Sequence, residues 1–321
     1  MKIIGLLELP VNEDLSRYVQ KDILIMPIKN ISEKQFVNVY ALFTKVSCQI
    51  DSDLIRKFPN LALIGVPATG IDVVDYKFCK EKGIKILSLK DEKFAKKLNE
   101  FTSTSEIFFW HLLTLVRNCE VASQSIRDGF WDRNSFIGVN LRGLTLGIIG
   151  FGRIGKQIAD VGTMLGLNVI FFDNNVESPG NSVCLRVDSL EDLIFKSNIV
   201  SVNVDYSDDN LNLMNYSVIE NISKKPFYVI NTSRGAIVDE LAILDGLNSG
   251  KIDGYGADVL TNEVSGETNW LIKNHIWQAF KSNRFKISLT PHIGGATYQN
   301  MNISEEYILS ELVNELRGSY E

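Results

Sequence analysis

The chain has 321 residues, of which 45% are hydrophobic and 22% are charged, and its formal net charge is −6. This length and apolar content are sufficient for roughly two globular domains. The negative charge argues against general binding to nucleic acid or to an anionic membrane, because both would repel it, so small molecules are the expected partners.

No signal for export or for membrane insertion is expected. Residues 1–7 are too short for a signal sequence and favour a first strand. The longest apolar stretch, 107–116, falls well below the roughly 20 residues needed to cross a bilayer. The four cysteines have no CxxC spacing and mostly apolar neighbours, which indicates buried reduced thiols rather than disulfides or a metal site. A cytoplasmic location is therefore expected.

Short strand patterns alternate with helical patterns before residue 102, which predicts parallel α/β units. The predicted strands are 1–7, 23–27, 41–43, 61–66 and 85–88, and the helical segments are 32–39, 51–58 and 72–82. A dinucleotide domain begins near its first strand, and this region precedes the glycine motif described next. The region is therefore predicted to form a domain of its own.

A glycine-rich turn, Gly150-Phe151-Gly152-Arg153-Ile154-Gly155, follows an apolar run and precedes a helical pattern over 154–165. Gly150 permits the tight turn, Gly152 lets a pyrophosphate approach the backbone, and Gly155 lets the helix pack close to its strand. The motif predicts a dinucleotide site. The alternative is a glycine turn in an α/β protein that binds no nucleotide.

The next predicted strand, 168–172, ends at Asp173, which lies 23 residues after Gly150. Roughly 20 residues is the spacing expected for the acid that binds an adenosine ribose. The first basic residue after Asp173 is Arg186, so the pattern favours NAD over NADP. A helix over 239–248 and further strands complete a doubly wound sheet; those strands are 199–204, 227–231, 254–259 and 287–290.

Three downstream segments carry a family resemblance: 231–240 (NTSRGAIVDE), 257–259 (ADV) with Glu263, and 290–297 (TPHIGGAT). Together with the glycine motif, they resemble the D-isomer-specific 2-hydroxyacid dehydrogenases, and 68–75 adds a thinner match. The resemblance is to the phosphoglycerate dehydrogenase-like branch, here without a regulatory domain.

The resemblance implies an α/β fold of two Rossmann-like or flavodoxin-like domains with parallel sheets. The NAD-binding domain, 103–294, is inserted into a substrate-binding domain made of 1–102 and 295–321. Segment 129–133 resembles the dimer arm of the family, which implies a homodimer, although its aromatic residues alone would equally suit core packing.

His292 is the best candidate for the catalytic base. Oxidation of a 2-hydroxy acid requires a group that takes the hydroxyl proton near neutral pH, and histidine has a suitable pKa of about 6.5. His111 lies in an apolar helical stretch and His275 in a polar segment, whereas His292 follows a strand end and precedes two glycines. Arg234 suits bidentate binding of a carboxylate. The resemblance assigns Glu263 the role of raising the pKa of His292.

Further roles come only from the resemblance. Asp258 would contact the nicotinamide carboxamide, and the backbones of Arg153 and Ile154 would face the pyrophosphate. The remaining predicted contacts are Val204, Thr232 and Ser233 beside the nicotinamide half, and Ala68, Thr69 and Gly70 for the substrate. Taken singly, Arg234 or Glu263 would more often be a surface residue, and a lone histidine such as His292 would more often be structural.

Departures from the family pattern bear on the substrate. Val66 stands where phosphoglycerate-type members commonly have an arginine, which counts against 3-phosphoglycerate. The lysines of 85–97 could attract an anionic or sugar-acid substrate, or form a solvated basic face. Asp205 replaces a frequent proline and could alter cofactor affinity or face solvent.

The predicted function is hydride transfer between NAD(H) and a D-2-hydroxy acid or 2-keto acid, with sugar acids among the candidates. The alternative is an NAD(H)-sensing, corepressor-like binding protein of the same fold, since sensing relatives can retain such residues.

Overall fold

The computed structural model describes residues 1–12, 14–15, 18, 21–46, 48–176, 183–263 and 268–318. The chain divides into two compact units. The first comprises Met1–Phe101 and Ala296–Glu321, and the second comprises Thr102–Glu263 and Glu267–Gly295. Each unit is built on one sheet in which every paired strand runs parallel. The predicted α/β class is confirmed.

The first unit contains a five-stranded sheet in the order β2-β1-β3-β4-β5, which is the flavodoxin-like order. Its strands lie close to the predicted ones. They are β1 (Lys2–Leu6), β2 (Ile23–Pro27), β3 (Val39–Phe43), β4 (Leu63–Gly65) and β5 (Lys85–Leu87).

In the described part of the first unit, four α-helices accompany this sheet: α1 (Ser52–Ile55), α2 (Tyr76–Lys82), α3 (Glu92–Leu98) and α12 (Tyr298–Gly318). Helix α12 approaches β4 so closely that a Cβ atom on Gly65 would lie 2.6 Å from the Cγ2 atom of Ile308. The helical segment predicted over 32–39 is a 3-10 helix, Glu33–Asn38, whose N-terminus is closed by reciprocal bonds between Ser32 and Gln35.

Three lysines of 85–97, namely Lys85, Lys93 and Lys97, have acidic partners within the first unit. The Nζ atom of Lys85 lies 2.7 Å from Glu315, and that of Lys93 lies 3.5 Å from Glu311, both on α12. Lys97 pairs with Glu100 at 2.6 Å. The first two pairs link β5 and α3 to α12, the third is local, and together they account for part of the basic segment without a ligand.

The second unit contains a seven-stranded sheet in the order β12-β11-β10-β9-β6-β7-β8. The strand order reverses between β6 and β9, which is where α/β proteins of this kind bind ligands, beyond the carboxyl ends of the strands. The strands are β6 (Thr145–Ile149), β7 (Asn168–Phe172), β8 (Leu185–Arg186), β9 (Ile199–Val202), β10 (Tyr228–Asn231), β11 (Gly254–Ala257) and β12 (Ile287–Leu289).

Eight α-helices belong to the described part of the second unit. They are α4 (Ser103–Arg117), α5 (Cys119–Arg127), α6 (Arg153–Met164), α7 (Leu190–Lys196), α8 (Tyr216–Glu220), α9 (Glu240–Asn248), α10 (Trp270–Lys273) and α11 (His275–Lys281). Helix α4 buries Phe108, Leu112 and Leu115 in one cluster with Tyr228 and Ile230 of β10. This packing places α4 across the sheet.

All four cysteines are free thiols. Cys79 and Cys184 are buried, as expected, but Cys48 is only partly buried and Cys119 is exposed at the start of α5. The prediction of burial was wrong for the latter two because apolar sequence neighbours do not reveal which side of a helix or turn a residue occupies. Within the described ranges, no helix is long and apolar enough to cross a membrane.

Candidate active site

The glycine motif forms the turn between β6 and α6. Gly150 has φ +86° and its N–H donates to the carbonyl of Phe172 at 2.9 Å. Gly152 is the N-cap of α6, and a Cβ atom there would meet no atom within 4 Å. A Cβ atom on Gly155 would lie 2.3 Å from the Gly150 carbonyl oxygen. The amino end of α6 therefore has free space beside Gly152, whereas Gly155 packs directly against the backbone of the turn that follows β6.

Asp173 lies directly after β7, beside this turn. Its Oδ2 atom accepts from the Phe151 N–H at 2.7 Å, and its Oδ1 atom accepts from the N–H groups of Asn175 and Val176 at 2.7 and 3.0 Å. Arg186 donates to the main-chain carbonyl of Asp173 at 3.4 Å and lies 3.8 Å from the carboxylate of Asp188. The carboxylate is thus held by backbone donors at the position where the hydroxyls of an adenosine ribose would bind.

The ends of β9 and β10 are joined by side chains. The hydroxyl of Ser233 donates to the carbonyl of Val204. Asn231, which is fully buried, accepts from the Ser233 N–H at 3.0 Å and donates to the Arg234 carbonyl at 2.9 Å. Asn231 therefore fixes the turn that carries Thr232, Ser233 and Arg234 at the carboxyl end of β10, one strand away from the reversal point of the sheet.

Arg234 is partly buried, and one of its guanidinium nitrogens, Nη1, donates to the Ser233 carbonyl at 2.8 Å. The following residue, Gly235, lies so close to the loop after β11 that a Cβ atom would be 2.1 Å from the carbonyl carbon of Leu260. The arginine turn and the loop that carries Glu263 are therefore packed backbone to backbone.

His292 and Glu263 form a hydrogen-bonded pair in the second unit. The Nδ1 atom of His292 lies 2.8 Å from Oε1 of Glu263, and the two side chains are 26% and 16% exposed. Burial lowers the pKa of His292, but the hydrogen bond and the negative charge of Glu263 outweigh it, so the pKa lies above its ordinary value. The charge of nearby Arg234 opposes this rise. Because Nδ1 is engaged, Nε2 is the ring nitrogen that can exchange a proton with a substrate.

Asp258 anchors the turn that carries His292. Its main-chain carbonyl accepts from the His292 N–H at 2.8 Å, and His292 has φ +52°, a backbone conformation uncommon for a non-glycine residue. Its carboxylate accepts from Ile293 N–H at 2.8 Å, Gly294 N–H at 2.7 Å and the Thr290 hydroxyl at 2.6 Å. Asp258 is 1% exposed, and burial raises its pKa in spite of these bonds.

Sequence reasoning missed the groups that support this anchor, namely Thr290, Ser288 and His111. The signal was present: Ser288 and Thr290 alternate in an apolar strand, so they lie on one face of it, and His111 is a polar residue in an apolar helix. The third histidine, His275, is exposed at the start of α11.

Most of the predicted site residues belong to the second unit and lie in its carboxyl-edge turns. Ala68, Thr69 and Gly70 belong to the first unit, where they follow β4. There the Ala68 N–H donates to the Val66 carbonyl at 2.8 Å, and the Leu89 N–H donates to the Ala68 carbonyl at 3.0 Å. Among the described residues, no group of three or more His, Cys, Asp or Glu could hold a metal ion.

The fold and this edge of the sheet define a dinucleotide-binding α/β protein with a histidine–carboxylate pair. Residues 109–294 match the family model of the D-isomer specific 2-hydroxyacid dehydrogenase NAD binding domain, and residues 8–94 match that of its catalytic domain. The chain belongs to the D-isomer specific 2-hydroxyacid dehydrogenase family, as the motifs predicted, and NAD is the cofactor of its second unit.

Individual relatives agree with this assignment. The chain is 25% identical to D-3-phosphoglycerate dehydrogenase of Archaeoglobus fulgidus, over 96% of this chain and 56% of that protein. It is 31% identical to glyoxylate reductase of Aeropyrum pernix, over 80% and 74%. It resembles the solved D-lactate dehydrogenase of Aquifex aeolicus, complexed with NAD and lactic acid, with 26% identity, a TM-score of 0.77, and coverage of 99% of this chain and 95% of that chain. The chain spans 50–62% of the length of the first four curated relatives.

Proposed function

We propose that this chain transfers a hydride between NAD(H) and a D-2-hydroxy acid or its 2-keto acid. The observation that carries the proposal is the pair of His292 and Glu263, held at 2.8 Å beside the charge of Arg234. A proton donor of raised pKa next to a fixed cation is the combination that reduction of a 2-keto acid requires.

Each residue has a distinct role in this proposal. Arg234 binds the substrate carboxylate through its planar guanidinium group and polarises the neighbouring carbonyl. Protonated His292 donates from Nε2 to the carbonyl oxygen as the carbonyl carbon becomes a C–H centre, and takes the proton back in the oxidation. Glu263 accepts from Nδ1–H and so stabilises the charged imidazole.

The chain's own groups suit the cofactor. NAD(H) supplies or accepts the hydride. Open Gly152 and the first N–H groups of α6, including those of Arg153 and Ile154, suit a pyrophosphate. The Asp173 carboxylate suits ribose hydroxyls and repels a 2′-phosphate. Val204, Thr232, Ser233 and Asp258 are proposed to border the nicotinamide half.

We further propose that the substrate is not 3-phosphoglycerate. Val66, at the start of the loop after β4, is fully buried in the apolar core of the first unit and offers no cation for a phosphate. Ala68, Thr69 and Gly70 are proposed to bind the substrate on the strength of the family resemblance. A 2-keto acid without a phosphate, with sugar acids among the candidates, fits these residues best.

Consumption of NADH by the purified protein should be followed with a panel of 2-keto acids. The panel should contain pyruvate, glyoxylate, hydroxypyruvate, 2-ketoglutarate, phosphohydroxypyruvate and longer keto sugar acids, with NADPH as the control. We expect turnover with NADH, little with NADPH and little with the phosphorylated acid. Tight NADH binding without turnover on any acid would contradict the proposal.

We propose that the protein is a homodimer that works in the cytoplasm. Helix α5 and the segment after it present apolar side chains to solvent: Ile126 is 52% exposed, Phe130 67%, Trp131 89% and Ile137 79%. Such a set on one segment suits burial against a second copy. Light scattering should give a dimer mass for the wild type and a monomer mass for Phe130→Ser/Trp131→Ser; a monomeric wild type would refute the homodimer.

The corepressor-like alternative receives no support from the relatives described above, which carry enzyme names.

A further inference from the structure

His111 is a polar side chain in an unusual place. It lies on α4 among Phe108, Leu112 and Leu115 and is fully buried. A buried imidazole without partners would be costly, so its two nitrogens must be hydrogen-bonded. They are: Nδ1 lies 2.9 Å from the Ser288 hydroxyl, and Nε2 lies 3.0 Å from the Thr290 hydroxyl.

The backbone makes room for this ring. Strand β11 carries Gly256 beneath α4, and a Cβ atom on Gly256 would lie 2.8 Å from Cβ of His111 and 3.2 Å from its Cγ. Gly256 pairs with Ser288 of β12, so the imidazole crosses from the glycine strand to the polar side chains of the neighbouring strand. The ring therefore occupies a slot between a helix and two strands.

The hydrogen bonds have a direction. Thr290 has one hydroxyl proton, and it is donated to Oδ1 of Asp258 at 2.6 Å. Thr290 can then only accept from His111, so the proton of the neutral imidazole sits on Nε2 and Nδ1 accepts from Ser288. Burial lowers the pKa of His111 to about 4, which keeps the ring neutral near pH 7.

This chain of hydrogen bonds ends at Asp258, the residue that holds the turn 292–294. Asp258 receives the Thr290 hydroxyl on the same oxygen that accepts the Ile293 N–H, and its other oxygen accepts the Gly294 N–H. The carbonyl of Asp258 accepts from the N–H of His292, whose φ is positive. A conformation that is uncommon for histidine persists only where its surroundings hold it.

We propose that His111 is a positioning residue for His292. In its Nε2–H form, it orients the Thr290 hydroxyl toward Asp258, and Asp258 in turn holds the turn 292–294. This inference rests on the proposed function, because it deepens the account of the same site by adding a residue from α4.

Kinetics provide the first test. His111→Leu should lower kcat for 2-keto acid reduction about ten- to a hundredfold through misplacement of His292, and leave the KM for NADH within about twofold. His111→Gln should restore most of the activity, since its amide nitrogen can donate to Thr290. Wild-type kcat in folded His111→Leu would overturn the proposal.

A double-mutant cycle distinguishes positioning from a general packing defect. Thr290→Val removes the hydroxyl through which His111 acts. If the two residues share one path, His111→Leu/Thr290→Val should be no more than about twofold worse than the worse single variant. Losses that multiply would show that His111 acts independently of Thr290 and would overturn the proposal.

Nitrogen NMR tests the same inference without turnover or a folded Leu variant. The chain has three histidines, so ¹⁵N-labelled histidine gives few signals, and His275→Gln assigns one of them. We expect His111 to carry its proton on Nε2, where it donates to Thr290, and to stay neutral across the neutral pH range.

A wild-type His111 that carries its proton on Nδ1, or that titrates near 6.5, would overturn the inference. A wild type that reduces no 2-keto acid but gives the expected His111 signals would contradict the proposed function and leave the hydrogen-bond chain standing. The two failures are therefore distinguishable.

Discussion

Two turns of the second unit lie at carboxyl ends of its strands and are built in opposite ways. The turn after β6 depends on backbone geometry and on the absence of side chains. Gly150 has a positive φ, the N-cap at Gly152 is open, and Gly155 makes a close backbone contact. The turn after β12 depends on side-chain and main-chain hydrogen bonds to other loops. The His292 ring is bonded to Glu263, and the His292 N–H donates to the carbonyl of Asp258.

The difference reflects what each turn must do. An extended anion can be held by several N–H groups and a helix end, which need no particular side chain. A proton-transfer group must be held in one orientation with its pKa adjusted, and only neighbouring charges and hydrogen bonds can do that. The first turn should therefore be sensitive to added bulk, and the second to lost polar atoms.

The largest effect is expected at His292. His292→Gln removes the proton donor and should lower kcat about 10²- to 10⁴-fold, with little change in NADH affinity, because the turn after β6 is untouched. Steady-state rates and NADH fluorescence titration measure the two quantities. His275→Gln, on the exposed start of α11, is the matched control and should behave as wild type. Equal activity of both variants would remove His292 from the mechanism.

The turn after β6 should respond to a methyl group in two ways. Gly155→Ala places Cβ against the Gly150 carbonyl, so overpacking should cost about 1–3 kcal/mol of unfolding free energy and weaken NADH binding. Gly152→Ala meets no protein atom, so it should leave stability nearly unchanged and weaken only NADH binding. Denaturant titration and NADH binding separate these outcomes; unchanged NADH affinity in both would place the cofactor elsewhere.

Glu263→Gln should change the pH dependence of the reaction. Reduction needs protonated His292, so its rate is full below the pKa of His292 and falls as pH rises through it. The Glu263 charge raises that pKa, so its loss should move the fall to lower pH and cut kcat about tenfold near neutrality. Profiles of kcat/KM against pH measure this, with exposed Glu220→Gln as the control. A shift to higher pH would contradict the assignment.

The smallest effect is expected at Ser233, whose hydroxyl joins the ends of β9 and β10. Ser233→Ala should lower the unfolding free energy by about 1 kcal/mol and leave kcat within about twofold, because the hydroxyl it loses donates its proton to the Val204 carbonyl, although Ser233 is proposed to border the nicotinamide. Ser282→Ala, which loses only a local bond to the Ala279 carbonyl on the surface of α11, is the control. A large loss of kcat in Ser233→Ala would contradict the assignment of this hydroxyl to joining the ends of β9 and β10 rather than to catalysis.

The same contrast explains what could be predicted from the sequence. The strands, the glycine turn and Asp173 follow from local patterns, because strand period, glycine positions and a fixed spacing are all visible within about 25 residues. The bonds of His111 to Ser288 and Thr290 join residues 177 and 179 positions apart, and no local pattern specifies such a pair. The sequence predicts that Asp258 contacts the cofactor. Its bonds to Thr290, Ile293 and Gly294 join residues 32 to 36 positions away, so they require the folded structure.

The most direct test of the account is hydride transfer itself. The wild type and His292→Gln should be incubated with C4-deuterated NADH and the best 2-keto acid of the panel, and the product analysed for deuterium and configuration. The account predicts a D-2-hydroxy acid with deuterium at C2 from the wild type and almost none from the variant. An L product, or equal deuterium transfer by both proteins, would contradict it.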